Sequence, residues 1–114
     1  MAGELAYFEI PTTDAEQAQE FYGRLLGWEF AQGNFPGYHM IPNATPYAGL
    51  SAGEESRHPR VFFAVDDLEA AGAMVASLGG EADEPVQILA GTFARCRDDQ
   101  GTHFTLWQGA PGAE

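Results

Sequence analysis

The chain has no lysine, a single cysteine and no apolar run of membrane-spanning length. Its five basic side chains are all arginines, set against 17 acidic ones, for a formal net charge of −12 over 114 residues. A phosphate backbone is held by clustered cations, so this balance argues against nucleic acid, and an anionic membrane is disfavoured for the same reason. The excess acid reads as a solvated surface that slows anionic substrates unless local arginines reverse the field. With only Cys96, neither an internal disulfide nor a multi-thiolate zinc site can form. Strand alternation places Cys96 as a small buried hydrophobe rather than a nucleophile. The opening Met1-Ala2-Gly3-Glu4 lacks a basic region followed by an apolar stretch, so no signal peptide is expected and a cytoplasmic location follows by default. With 45% apolar and 19% charged residues the composition is globular, and the length fits one domain over 1–114.

What the chain does contain is an internal repeat. Aligning Asp14 with Asp67, an offset of 53, brings Phe8 onto Val61, Ile10 onto Phe63, Glu16 onto Glu69, Ala18 onto Ala71, Leu25 onto Leu78 and Gly27 onto Gly80. Each copy opens with an alternating strand. Phe8 and Ile10 share one face of the first, with Tyr7 and Glu9 on the other. Val61, Phe63 and Val65 oppose Arg60, Phe62 and Ala64 in the second. The more apolar face should receive the following helix, leaving the other to line a cavity.

Thr13-Asp14 precedes the first helical pattern, where Thr13 and Glu16 have capping-box spacing. Ala18, Phe21, Tyr22, Leu25 and Leu26 form its apolar stripe and Gly27 its stop. The second helix starts at Asp66-Asp67, uses Leu68, Ala71, Met74, Val75 and Leu78, and stops at Gly79-Gly80. Short strands follow each helix: 28–31, 37–41 and 47–51, then 81–82, 86–98 with a break near Ala90-Gly91, and 103–108. Asp98–Gly101 reads as the turn before the last strand. Each half is therefore βαβββ, with module one over about 4–52, a connector 53–59, module two over about 60–109 and a frayed tail 110–114. The predicted class is α+β, two modules related by pseudo-twofold symmetry, forming a curved mixed sheet around a cleft with the helices outside.

The order Phe8-Glu9-Ile10-Pro11, Asp14, Phe21-Tyr22-Gly23 and Leu26-Gly27-Trp28-Glu29 resembles the start of vicinal oxygen chelate proteins, the superfamily of glyoxalases, bleomycin-resistance proteins and extradiol dioxygenases. The second half adds Phe63–Leu68, Leu78-Gly79-Gly80, the Asp98–Gly101 turn and Phe104–Gln108, so the likeness spans nearly the whole chain. It points towards bacterial glyoxalase-related proteins of unknown substrate. The resemblance implies a divalent metal held by four cavity-facing side chains, usually His and Glu, two from each half. Transferred here, those positions are Tyr7, Gly49, Arg60 and Thr105. Tyrosine, glycine, arginine and threonine do not make a divalent-ion site, and the permanent cation of Arg60 opposes one outright. The resemblance also implies a homodimer.

By parity the ligand-binding cleft should be lined by Tyr7, Glu9, Gly49, Arg60, Phe62, His103, Thr105 and Trp107. Arg60 with Tyr7 can bind a carboxylate or phosphate; equally, Arg60 can simply pair with Glu9. Phe62 and Trp107 can stack on a planar ligand or fill the cavity themselves. Glu9 is the candidate general base, if burial raises its proton affinity. His39 and His103 are the only pair offering a relocated metal site, while His58 reads as a loop residue. Arg95 and Arg97 share a strand face. The expected function is binding of a small organic molecule in the cleft, without metal or other cofactor. Two alternatives stand beside it: a divalent-metal-dependent lyase, isomerase or dioxygenase with an unusual site, and a non-catalytic dimeric assembly or partner-binding protein.

Overall fold

A computed structural model describes residues 3–33, 36–53 and 58–109. Tyr7–Arg60 forms one compact unit and the residues on either side of it form another, called here the first and second units. Both have a mixed sheet with a helix on one face, so the class is α+β.

In the first unit, β1 (Leu5–Thr12) leads to α1 (Ala15–Leu26), then β2 (Ala31–Gln32), β3 (Tyr38–Ile41) and β4 (Ala48–Ala52). The strand order is β2-β3-β4-β1, with β1 parallel to β4 and the other pairs antiparallel. The second unit repeats this plan. It runs β5 (Arg60–Ala64, whose first residue belongs to the first unit), α2 (Leu68–Ser77), β6 (Glu81–Ala82), β7 (Val86–Ile88), β8 (Gly91–Arg97) and β9 (His103–Gly109). There β9 lies parallel to β5 and antiparallel to β8, which carries β6 and β7. The parallel pairs β1·β4 and β5·β9 are what a βαβββ module requires, because the first strand returns beside the last.

Both helices begin at the aspartates that the repeat aligned. Asp14 accepts from the Gln17 amide and Asp67 from the Ala70 amide, each at 3.1 Å. Such a cap satisfies an amide that the helix leaves without a partner. The cap of α1 is therefore Asp14, not Thr13 with Glu16: Thr13 lies one residue too early for its hydroxyl to serve the first turn. Gly27 stops α1 in the left-handed region at φ 74°. In α2 that conformation falls at Gly79, φ 94°, rather than at Gly80, because α2 is shorter. Gly80 is needed for a different reason, since a Cβ there would collide with the Arg97 carbonyl oxygen.

The helix stripes are narrower than their sequence pattern. Ala18 and Tyr22 of α1 reach the core with Ile10, Leu50, Phe8, Trp28 and Phe30, whereas Phe21, Leu25 and Leu26 are exposed. In α2, Leu68, Ala71 and Val75 pack against Ala94, Cys96 and Leu106, and Met74 and Leu78 are exposed. Five apolar positions on one helix subtend more arc than a single sheet face can cover. Cys96 is 2% exposed, and burial pushes its thiol above the ordinary value.

One strand boundary also differs from expectation. Trp28–Phe30 is irregular, held by Asn43, whose amide nitrogen donates to the Gly27 carbonyl at 3.0 Å and whose oxygen accepts from the Glu29 amide at 2.8 Å. The break near Ala90-Gly91 is real and separates β7 from β8. At the last turn, Asp98 accepts from the amides of Gln100 and Thr102, and Gly101 takes φ 87°. Within the expected connector 53–59, residues 54–57 lie outside the described residues, as does the tail 110–114. No helix among the described residues is long and apolar enough to cross a membrane.

Candidate functional site

The faces of the first unit's sheet sort as strand parity requires. Phe8, Ile10, Ile41, Ala48 and Leu50 turn towards α1. Tyr7, Glu9, Tyr38 and Gly49 occupy the opposite face, where register places Glu9 beside Gly49, and Tyr38 one pair further along β4 beside Ser51.

On that face four side chains form a chain of hydrogen bonds. The Arg60 guanidinium donates to Glu9 Oε1 at 3.0 Å, and the Tyr38 hydroxyl donates to Glu9 Oε2 at 2.9 Å. The hydroxyl of Tyr7 is hydrogen-bonded to that of Tyr38. The Glu9 and Arg60 side chains are only 12% and 21% exposed, so their ion pair is screened far less than a surface pair. The pairing of Arg60 with Glu9, one of the two arrangements open from sequence, is the one present.

Gly49 lies beneath this chain. A Cβ there would overlap both tyrosine hydroxyls and come within 2.6 Å of Tyr38 Cζ. Its φ is not positive, so closeness rather than backbone conformation selects glycine. Burial pushes the Tyr7 hydroxyl up to about 12, with the Glu9 carboxylate adding to the rise; the Tyr38 bond acts in the opposite direction. Burial raises Tyr38 further still, again with Glu9 opposing an anion beside it. Both phenols therefore stay protonated well above neutral pH. The Tyr47 ring packs beside Tyr7, centroids 6.2 Å apart.

The remaining residues expected in the cleft belong to the second unit. Phe62 and Thr105 are register partners, as are Ala64 and Trp107. Phe62 and Thr105 are buried, and the Phe62 ring meets Phe93 edge-on at 6.1 Å. Arg95 lies over the Phe93 ring at 5.7 Å, within cation–π range. Arg97 instead forms an ion pair with Glu81. His103 shares the parity of Thr105 but is exposed. His39 points to the helix side of its sheet, its Nε2 3.5 Å from the Gln19 amide nitrogen. Among the described residues, no three of His, Cys, Asp and Glu gather in a way that could hold a metal ion.

The donors present do not fit the divalent ion that the superfamily likeness implies. Of the four transferred positions, Tyr7 is a neutral phenol, Gly49 has no side chain, Arg60 is a cation and Thr105 is a neutral hydroxyl. The carboxylate beside them, Glu9, already accepts from Arg60 and Tyr38. Sequence reasoning missed Tyr38. Its parity with Met40 was visible, but which face that pair took depends on the register of β3 against β4.

A bleomycin resistance protein-like N-terminal family matches residues 5–43, the segment running through β1, α1, β2 and β3. A hypothetical protein from Bacillus halodurans superposes with a TM-score of 0.74 at 18% identity, covering 100% of this chain and 99% of that one. Methylmalonyl-CoA epimerase from Mycobacterium tuberculosis superposes at 0.70 and 19%, covering 96% and 90%. The chain shares the fold of these proteins over nearly its whole length. The Streptomyces coelicolor methylmalonyl-CoA epimerase in complex with 2-nitronate-propionyl-CoA gives 0.66 at 17% identity over 96% and 99% of the two chains. At these identities the likeness establishes the fold of this chain and not its chemistry. No curated protein sequence matches it.

Proposed function

We propose that this chain is a vicinal oxygen chelate protein that binds a small organic molecule on the sheet face bearing Tyr7, Glu9, Tyr38, Gly49 and Arg60, and does so without a divalent metal. One observation carries the reading: a guanidinium is paired with Glu9, the only carboxylate of the cluster among the described residues, and two phenols crowd the space over Gly49. Arg60 supplies a fixed positive charge that needs no bound ion. Glu9, with both oxygens engaged by donors, is a structural anion in this reading rather than a general base. A homodimer belongs to the same proposal. Exposed Phe21, Leu25 and Leu26 on α1 offer apolar surface for one, and light scattering on the purified chain tests it.

A thermal-shift screen of small organic compounds, run in parallel with and without EDTA, tests the binding reading. The expected result is stabilisation by some compounds that EDTA leaves unchanged and that Tyr38→Phe weakens. Stabilisation seen only with an added divalent ion would transfer the assignment to a metal-dependent lyase, isomerase or dioxygenase.

A further inference from the structure

Arg24 pairs with Glu20, Arg60 with Glu9 and Arg97 with Glu81. Arg95 differs: among the described residues no carboxylate pairs with it, in a chain of 17 acidic side chains and five arginines. Asp83 lies alongside, its amide donating to the Arg95 carbonyl oxygen at 2.8 Å, but its carboxylate sits 4.0 Å from Arg97. The exposed guanidinium of Arg95 lies instead over the Phe93 ring at 5.7 Å. A ring attracts a cation without neutralising it. The strands place apolar surface beside that charge, on the face turned away from α2, because Ala94, Cys96 and Leu106 take the helix side. Val86, Phe93 and Trp107 form one row across β7, β8 and β9, and Arg95 with Thr105 forms the next. Val86 is 47% exposed while Phe93 and Trp107 are half-buried, so the apolar row has open surface. Residues two apart along a strand lie about 7 Å from each other, the reach of an aromatic ring bearing a short acid side chain.

We infer that this face of the second unit binds a small aromatic carboxylate, with the acid group on the Arg95 guanidinium and the ring on the row of Val86, Phe93 and Trp107. A guanidinium fork matches a carboxylate through paired hydrogen bonds, and aromatic side chains offer a planar ligand their faces and edges. The net charge of −12 opposes anions over the surface at large, so an arginine with no acid paired to it is the feature such a ligand requires. All of these residues belong to the second unit, and the inference does not depend on the cluster around Glu9.

Two size-matched probes test it: 3-phenylpropionate and its neutral amide, 3-phenylpropionamide, titrated at millimolar concentration into isotope-labelled protein. The indole N–H resonance of Trp107, identified with Trp107→Phe, is the reporter. The acid should shift it and bind about tenfold more tightly than the amide, equivalent to about 1.4 kcal/mol. Arg95→Gln should bring the two probes to equal affinity. Arg97→Gln removes the same charge from the same strand and should leave the preference in place. Neither arginine belongs to the core, so both variants should fold. Equal affinity for acid and amide in the parent would overturn the inference. A preference that falls as far in Arg97→Gln as in Arg95→Gln would overturn it too, in favour of the general field. An acid that moves the Gly49 amide of the first unit but not Trp107 would sink it while supporting binding at the Glu9 cluster. If neither probe moves Trp107, this face is not a site, and the reading of the first unit is untouched.

Discussion

Replacing Gly49 with alanine probes the geometry of the cluster most sharply. The added methyl would overlap the hydroxyls of both Tyr7 and Tyr38 and sit 2.6 Å from Tyr38 Cζ. Overpacking of this kind costs about 1–3 kcal/mol. If a phenol swings away to make room, a hydrogen bond to a charged carboxylate is lost instead, at about 1.5–3 kcal/mol. These are alternative routes of relief and overlap rather than add. Alanine also restricts the unfolded chain more than glycine does, which returns about 0.4–1 kcal/mol where the backbone accepts it. The net expectation is a destabilisation of about 2 kcal/mol, read as a lower urea midpoint at unchanged slope. For a domain of this size the melting temperature should fall by roughly 8 °C. In a Tyr7→Phe/Tyr38→Phe background both hydroxyls are gone, and the same substitution should cost about 1 kcal/mol less. A Gly49→Ala variant as stable as the parent would show that the hydroxyls do not crowd that position, and the reasoning would fail.

Stability should also respond to alkali through Tyr7. Its proton is held to about 12 in the folded chain but leaves near the ordinary 10.0 once unfolded, so the folded state retains a proton that the unfolded state loses. The resulting stabilisation is fully present below pH 10 and is lost as pH rises through that window. Urea midpoints taken at about pH 9 and about pH 11 should show this fall, and Tyr7→Phe should reduce it. Glu9→Gln keeps the shape but removes the charge that Arg60 and Tyr38 donate to, and should cost about 2 kcal/mol in chemical denaturation. Asp14→Ala and Asp67→Ala remove equivalent caps and should each cost about 1 kcal/mol by thermal unfolding; unequal losses would argue against the repeat.

Local signals carried most of the fold. Aspartate caps followed by glycine stops are chemistry within a few residues, and the 53-residue offset between Asp14 and Asp67 made each copy support the other. Strand parity likewise separated Tyr7 and Glu9 from Phe8 and Ile10. It could not say how much of a helix stripe one sheet would cover, so Phe21, Leu25 and Met74 were expected inside and lie outside. Nor could it find the segment 28–30, whose alternation resembles a strand but whose backbone is held by the Asn43 side chain from fourteen residues on. The candidate site was half legible. Arg60 reaching Glu9 was one of two arrangements that the charges left open, the other being a ligand anion on Arg60. Tyr38 required the pairing of β3 with β4, which is long-range information that no local pattern contains.

The central claim is that Arg60, Glu9 and the two tyrosines stand where a divalent ion would otherwise be expected. The most direct test is thermal unfolding of metal-stripped protein with and without magnesium, manganese, nickel, cobalt and zinc, alongside elemental analysis of the untreated sample. An ion that binds the native state stabilises it by about 2.7 kcal/mol at a hundredfold excess over its dissociation constant, a shift such melts readily resolve. The account predicts substoichiometric metal and unchanged melting temperatures. Near-stoichiometric metal, with a rise in melting temperature on its return, would contradict it.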